Sequence, residues 1–148
     1  DDLLSLPLMK DKNKIEAMKL MSKMATVVYL DENSKEAFVV LSLRMMYLTC
    51  KYGYSEVASP FAFGAYGGIE AVLGNLKVAK RYLVLTEALI KRSKSMVAQT
   101  RATMVLHTLV SQWSQPYSVA LESFRHVYTI GMECGEVDFA LYGGSQYL

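Results

Sequence analysis

The chain has 148 residues, enough for one domain with a hydrophobic core of its own. Hydrophobic residues make up 52% and charged residues 20%, which excludes a disordered tail, while the formal net charge of +2 conceals an uneven distribution along the chain. Few prolines, few β-branched runs and abundant Leu, Ala, Met and Lys favour helices, because unbranched side chains lose little rotamer freedom there. The expected class is all-α, as a single domain over residues 1–148. Cys50 and Cys134 lie far apart without CxxC spacing or a nearby His, so neither a zinc site nor a disulfide framework is indicated. They are expected to be buried or half-buried thiols in a reducing, cytoplasmic compartment. The longest apolar run, residues 57–69, is too short to span a bilayer and is bounded by Glu56 and Glu70, so no membrane partner is expected.

About seven helices follow in chain order. The first runs from about Lys12 to Tyr29, with Met18, Met21, Met24, Ala25 and Val28 on one side, and the cluster Asp31-Glu32-Asn33-Ser34 ends it. The second, about Lys35 to Tyr52, carries Phe38, Leu41, Met45 and Leu48 and closes at Gly53, read as a left-handed cap. The third begins near Ser55 to Pro60 and ends at Gly74, with Pro60 in the first turn, where its missing N–H does no harm. The fourth, about Leu76 to Lys91, separates its faces cleanly at about 100° per residue. Val78, Ala79, Tyr82, Leu83, Leu85, Thr86, Leu89 and Ile90 share one arc, and Lys77, Lys80, Arg81, Lys91 and Arg92 share the other. The fifth, about Met96 to Trp113, has Ser95 as its N-cap; the sixth covers about Tyr117 to Cys134, and Gly135 separates it from a seventh beginning near Val137. Connections this short force antiparallel neighbours, hence hairpins.

The stretch from Phe63 to Leu83 reads as two helices crossing at a tight turn. Small residues stand where backbones must touch, and Gly74-Asn75 breaks the helix between them. The hexapeptide Phe63-Gly64-Ala65-Tyr66-Gly67-Gly68 recurs as Phe139-Ala140-Leu141-Tyr142-Gly143-Gly144, a separation of about two helical-hairpin units. Phe63, Tyr66, Gly67, Gly74, Ala79 and Leu83 resemble the tetratricopeptide signature, with Thr86 where that motif prefers alanine, Glu70 where it prefers an aromatic, and no closing proline. The resemblance implies antiparallel hairpins stacked as a tetratricopeptide-like α-solenoid.

A more particular resemblance rests on Leu3-Leu4-Ser5-Leu6-Pro7-Leu8-Met9, on Leu48-Thr49-Cys50-Lys51-Tyr52-Gly53-Tyr54-Ser55, on Ala62-Phe63-Gly64-Ala65-Tyr66-Gly67 and on Trp113-Ser114-Gln115-Pro116. Together these resemble the helical region of very large hybrid signalling kinases. In those proteins a Ser/Thr kinase-like domain and an AAA- or STAND-type ATPase precede the helical repeat, and GAF or PAS sensors and a histidine kinase follow it. The resemblance implies a non-catalytic module whose parent chain is an ATP-dependent protein kinase. Its implied partners are flanking domains of the same chain or another signalling protein. The ends, Asp1-Asp2 without an initiator Met and Gln146-Tyr147-Leu148 within an apolar pattern, read as a piece of a longer polypeptide.

No cofactor, metal site or catalytic residue is expected within the chain. Lys94-Ser95 lacks the glycines of a P-loop, kinase loops are missing, and His107 and His126 have no carboxylate or cysteine at helical spacing. Charge is the remaining functional clue. From Asn75 to Arg101 the chain is strongly basic, with Glu87 its lone acid, whereas residues 102–148 are net acidic. The basic strip Lys77, Lys80, Arg81, Lys91 and Arg92 reads either as a solvated outer face or as a surface for an acidic partner. Nucleic acid is not the expected partner, because Tyr82 is placed on the core side rather than among the cations. Met18, Met21, Met24, Met45 and Met46 read as core filler before they read as an adaptable groove. An alternative function is an all-α ligand-binding or enzymatic domain with an interhelical pocket around Tyr66, Tyr142 and His107.

Overall fold

The computed structural model describes residues 2–31 and 33–148, Asp2 by its backbone alone; Asp1, and Glu32 of the expected turn cluster, lie outside the described residues. Among the described residues the chain folds into seven α-helices: α1 (Lys12–Leu30), α2 (Lys35–Tyr52), α3 (Ser59–Val72), α4 (Leu76–Arg92), α5 (Met96–Leu109), α6 (Tyr117–Cys134) and α7 (Val137–Tyr147). Short 3-10 helices cover Asp2–Ser5 and Ser111–Trp113. The all-α expectation holds, and so do most of the capping readings. Ser95 accepts the N–H of Ala98 at the start of α5 and Pro60 sits in the first turn of α3, as read from sequence; Asp11, which the sequence reading passed over, accepts the N–H groups of Asn13 and Lys14 at the start of α1. The fifth helix stops earlier than expected. Its chain tightens into the 3-10 turn, where Ser114 and Gln115 both return N–H groups to Ser111 O, and Pro116 then disfavours helix at Gln115.

Gly53 departs from its expected role. Its φ of 103° is positive, but its ψ of 178° is extended, so it is no left-handed cap. The chain leaves α2 alongside the N-terminal segment, where Tyr54 donates its N–H to Pro7 O (2.7 Å) and Met9 donates to Tyr54 O (2.9 Å). A Cβ on Gly53 would collide with Pro7 O, so close backbone approach is the reason for glycine here. Gly74 behaves as anticipated. At φ 84° it turns the chain between α3 and α4 while its own N–H returns to Ala71 O and that of Asn75 to Glu70 O, satisfying the last carbonyls of α3.

Successive helices pack as neighbours, and α3 and α5 sit at the centre. Residues 59–65 of α3 and 100–107 of α5 are buried on every side, as a helix surrounded by others must be. The glycines of α3 make this possible. A Cβ on Gly67 would lie 2.9 Å from Tyr82 Cβ of α4, and Cβ atoms on Gly64 and Gly68 would lie 2.9 and 2.5 Å from Val105 and Leu109 of α5. Gly64 and Gly68 therefore do not serve the α3–α4 hairpin, as expected from sequence, but the contact with the next hairpin. The hexapeptide echo is likewise not a structural equivalence. Gly67 meets the helix that follows it, whereas Gly143 meets Val127 and Phe124 of α6, the helix before it.

The odd-numbered helices converge. Phe61 of α3 meets Phe139 of α7 edge to face at 6.4 Å, and Tyr29 of α1 packs against Phe38 of α2. These side chains line a small, half-open pocket of only about 30 Å³, together with Met104, Thr108 and Tyr142. The core around this pocket is packed by the chain's own side chains. Met18 and Met45 are fully buried there and Met21 and Met46 pack against them, but Met24 is exposed; Ser22 takes the inward position in α1 because it lies one turn from Met18. Cys50 is also exposed rather than buried, since Thr49 points inward to meet Ser59 at 2.9 Å; Cys134 is half-buried, and both thiols are free.

One ionic cluster ties first helix to last. Arg101 of α5 holds Glu136, the residue before α7, through two hydrogen bonds of 2.8 Å, and donates a third, 2.9 Å, to Ser22 of α1. Its guanidinium also lies over the Phe139 ring. Only 3% of Arg101 is exposed, so its desolvation is offset only while all these partners are in place.

Arg101→Met is expected to cost about 3 kcal/mol in urea unfolding, because Glu136 loses both hydrogen bonds from the guanidinium in a nearly dry site and keeps only Lys23 Nζ, 4.0 Å away. Adding Glu136→Gln should recover part of that loss. Gly67→Leu is expected to lower stability by about 1–3 kcal/mol through overpacking against Tyr82; an unchanged melting temperature would contradict the close crossing of α3 and α4.

Candidate docking cleft

The α4 helix is the most clearly two-faced in the chain. Ala79, Leu83, Thr86 and Leu89 are buried against α3 and α5 at i, i+4, i+7 and i+10. The signature residues gather at this crossing: Phe63, Gly67, Ala79 and Leu83 are buried, while Tyr66 is half-buried with its ring against Tyr82 at 4.8 Å. Gly74 lies at the exposed turn. The outward half of the predicted apolar arc, Val78, Tyr82, Leu85 and Ile90, is only partly covered.

Opposite the buried stripe, α4 forms one wall of an open cleft of about 770 Å³. The other wall is Leu3 and Leu4 of the N-terminal 3-10 helix, and the floor combines Tyr66, Tyr82, Leu85 and Ala88. Lys77, Lys80 and Arg81 stand along one end, and among the described residues no carboxylate lines the cleft. Val84, 58% exposed, occupies the middle of the strip. It lies four residues from Lys80 and seven from Lys77, a spacing that puts it on the same face, so the sequence contained the signal for an apolar centre within the basic arc. The wall made by Leu3 and Leu4 had no such signal, because it depends on how the N-terminal segment lies against Gly53 and Tyr54.

The predicted five-residue basic face divides in two. All five side chains are exposed and share one side of the helix, but Lys91 and Arg92 lie in the last turn, about 20 Å along the axis from Lys77. There they complement the helix dipole rather than line the cleft. Tyr82 corrects the sequence reading in another way. It is half-buried and lines the cleft beside the cations, because the α3–α4 crossing passes beneath its Cβ and leaves its ring at the edge.

The carboxylates nearby are engaged elsewhere. Glu70 accepts hydrogen bonds from the Tyr66 phenol and from Asn75 Nδ2, at 2.7 Å for the latter, which holds its carboxyl below the usual range. The same bond, with burial, pushes the Tyr66 phenol up to about 12. Glu87 lies seven residues from Lys80, at the flank of the same face, but outside the lining of the cleft, and accepts a hydrogen bond from Gln115. Lys77, Lys80 and Arg81 thus form a cluster of like charge without an ion-pair partner among the described residues. Such i, i+3, i+4 neighbours repel by a few tenths of a kcal/mol per pair, roughly, and an incoming anion relieves that repulsion.

The alternative pocket around Tyr66, Tyr142 and His107 is not assembled. Tyr66 lines the cleft, Tyr142 lines the small pocket, and His107 sits edge-on to Phe124 with Ser111 Oγ 3.2 Å from its Nδ1. Burial lowers the His107 pKa, with Glu87 opposing the shift. A group held neutral in this way stabilises the fold fully above its ordinary value near 6.5, and that contribution declines as pH falls through the window below it until the folded-state pKa is passed. Among the described residues no helix is long and apolar enough to cross a membrane.

The melting temperature is expected to fall between about pH 7 and pH 5, and His107→Gln should flatten that slope; an unaltered slope in the variant would assign it to other groups. Comparison with protein-family models, with curated proteins and with solved structures returns no match to this chain, so the reading of the cleft rests on its own geometry.

Proposed function

We propose that this chain is a non-catalytic, tetratricopeptide-like helical module that holds a protein partner on the outer face of α4. The observation that carries this reading is the cleft, where an apolar centre is flanked by three cations with no ion-pair partner among the described residues. Binding surfaces combine an apolar middle with a polar rim in this manner. The resemblance to the helical region of hybrid signalling kinases extends the reading to context. There the module stands between an ATPase and a sensor and histidine kinase region of a cytoplasmic protein, and its partner is a flanking domain or another signalling protein.

The cleft volume also falls within the range of small-molecule sites, the second reading. Its thin far wall, two leucines from a four-residue 3-10 helix, suits an elongated segment better than an enclosed ligand.

A photo-crosslinking residue at Val84 is expected to capture a discrete partner in cells, with the same residue at Glu122 of α6 capturing none of it. Equal capture at both positions, or none at Val84, would remove the α4 face as the docking surface.

A further inference from the structure

The geometry points to an acidic amphipathic helix as the occupant of the α4 cleft; this rests on the docking reading above and adds the chemistry of the partner. Along α4 the outward face reads Lys77, Lys80, Arg81, Val84, Ala88, the i, i+3, i+4, i+7, i+11 seam against which a second helix packs. From Lys77 to Ala88 the seam rises about 16 Å, or three turns. Across from it, Leu3 and Leu4 supply an apolar second wall. A partner helix with apolar residues at the same spacing fills the groove between these walls, in the helix-in-groove manner.

Charge fixes the rest. Within the cleft the cations Lys77, Lys80 and Arg81 line one end and the uncharged Val84, Leu85 and Ala88 the other, so the partner must carry its carboxylates at the end that meets the cations. Glu70 is hydrogen-bonded to Tyr66 and Asn75, and Glu87 to Gln115, and neither forms an ion pair with the cluster. A single-stranded nucleic acid fits less well. Tyr66 and Tyr82 pack on each other rather than presenting free faces to bases, and Leu3, Leu4 and Val84 offer nothing that stacks.

The test uses the whole chain and a fluorescein-labelled peptide of about 14 residues, with Leu at i, i+4, i+7 and i+11 and Glu on the flanks, beside a twin carrying Lys for Glu. In fluorescence anisotropy the Glu peptide is expected to bind and the Lys twin to bind about tenfold more weakly or not at all. Lys80→Glu with Arg81→Glu should reverse the preference, and Val84→Asp should weaken both peptides. Lys91→Glu with Arg92→Glu, the same change in net charge outside the cleft, should leave the preference intact. Circular dichroism melting of each variant confirms folding. Failure of the Glu peptide to bind, equal binding of the twins, or tighter binding of laurate or oligouridylate at the same site would overturn the proposal. A Val84 crosslink to a partner segment without acidic residues would retain the docking reading and discard the acidic helix; no crosslink at Val84 would discard both.

Discussion

The close crossing of α3 with both α4 and α5 is the constraint on which the rest of the structure depends. Three glycines within one helix turn and a half remove side chains on two different sides, Gly67 toward Tyr82 and Gly64 with Gly68 toward Val105 and Leu109. This lets α3 lie within backbone distance of two neighbours at once. The approach buries Phe61, Phe63 and Leu106 almost completely and commits α5 to the centre of the molecule. Close packing then leaves little room for adjustment, because each interdigitated side chain has its place set by the others.

From that centre the outer helices take their places. Arg101 is carried inward on α5 and remains tolerable only because Glu136, Ser22 and the Phe139 ring arrive around it from α7 and α1. A charge in such a position fixes geometry, since a slip of any of the three helices would strand it. Away from this centre, α4 is held from beneath by α3 and exposed above.

The cleft is a product of both ends of this arrangement. Its floor exists because Tyr82 is propped at the edge of the α3–α4 crossing, and its far wall because Pro7, Leu8 and Met9 run beside Gly53 and Tyr54 and so bring the 3-10 helix over α4. Its charge is a local property of α4, in which cations occur three and four residues apart while Glu70 of α3 and Glu87 of α4 accept hydrogen bonds from Asn75 and Gln115 and pair with none of the three.

The sequence by itself determined the helices, most of their caps and the two-faced character of α4, because periodicity, capping and turn residues act within a few residues along the chain. Ser95, Pro60 and Gly74 were legible for that reason, as was the basic arc from Lys77 to Arg81. Tertiary structure decided everything that depends on which surfaces meet. Gly64 and Gly68 serve α5 rather than their own hairpin, the echoed hexapeptides pack on different sides, Gly53 answers to Pro7, and Tyr82 lies at the cleft instead of in the core. The union of Arg101 with Ser22 and Glu136 was equally hidden, since side chains distant in sequence become partners only when packing brings their helices together. An angular arc on one helix likewise says nothing of the wall that faces it, and the cleft came into being only when Leu3 and Leu4 were placed across from Val84.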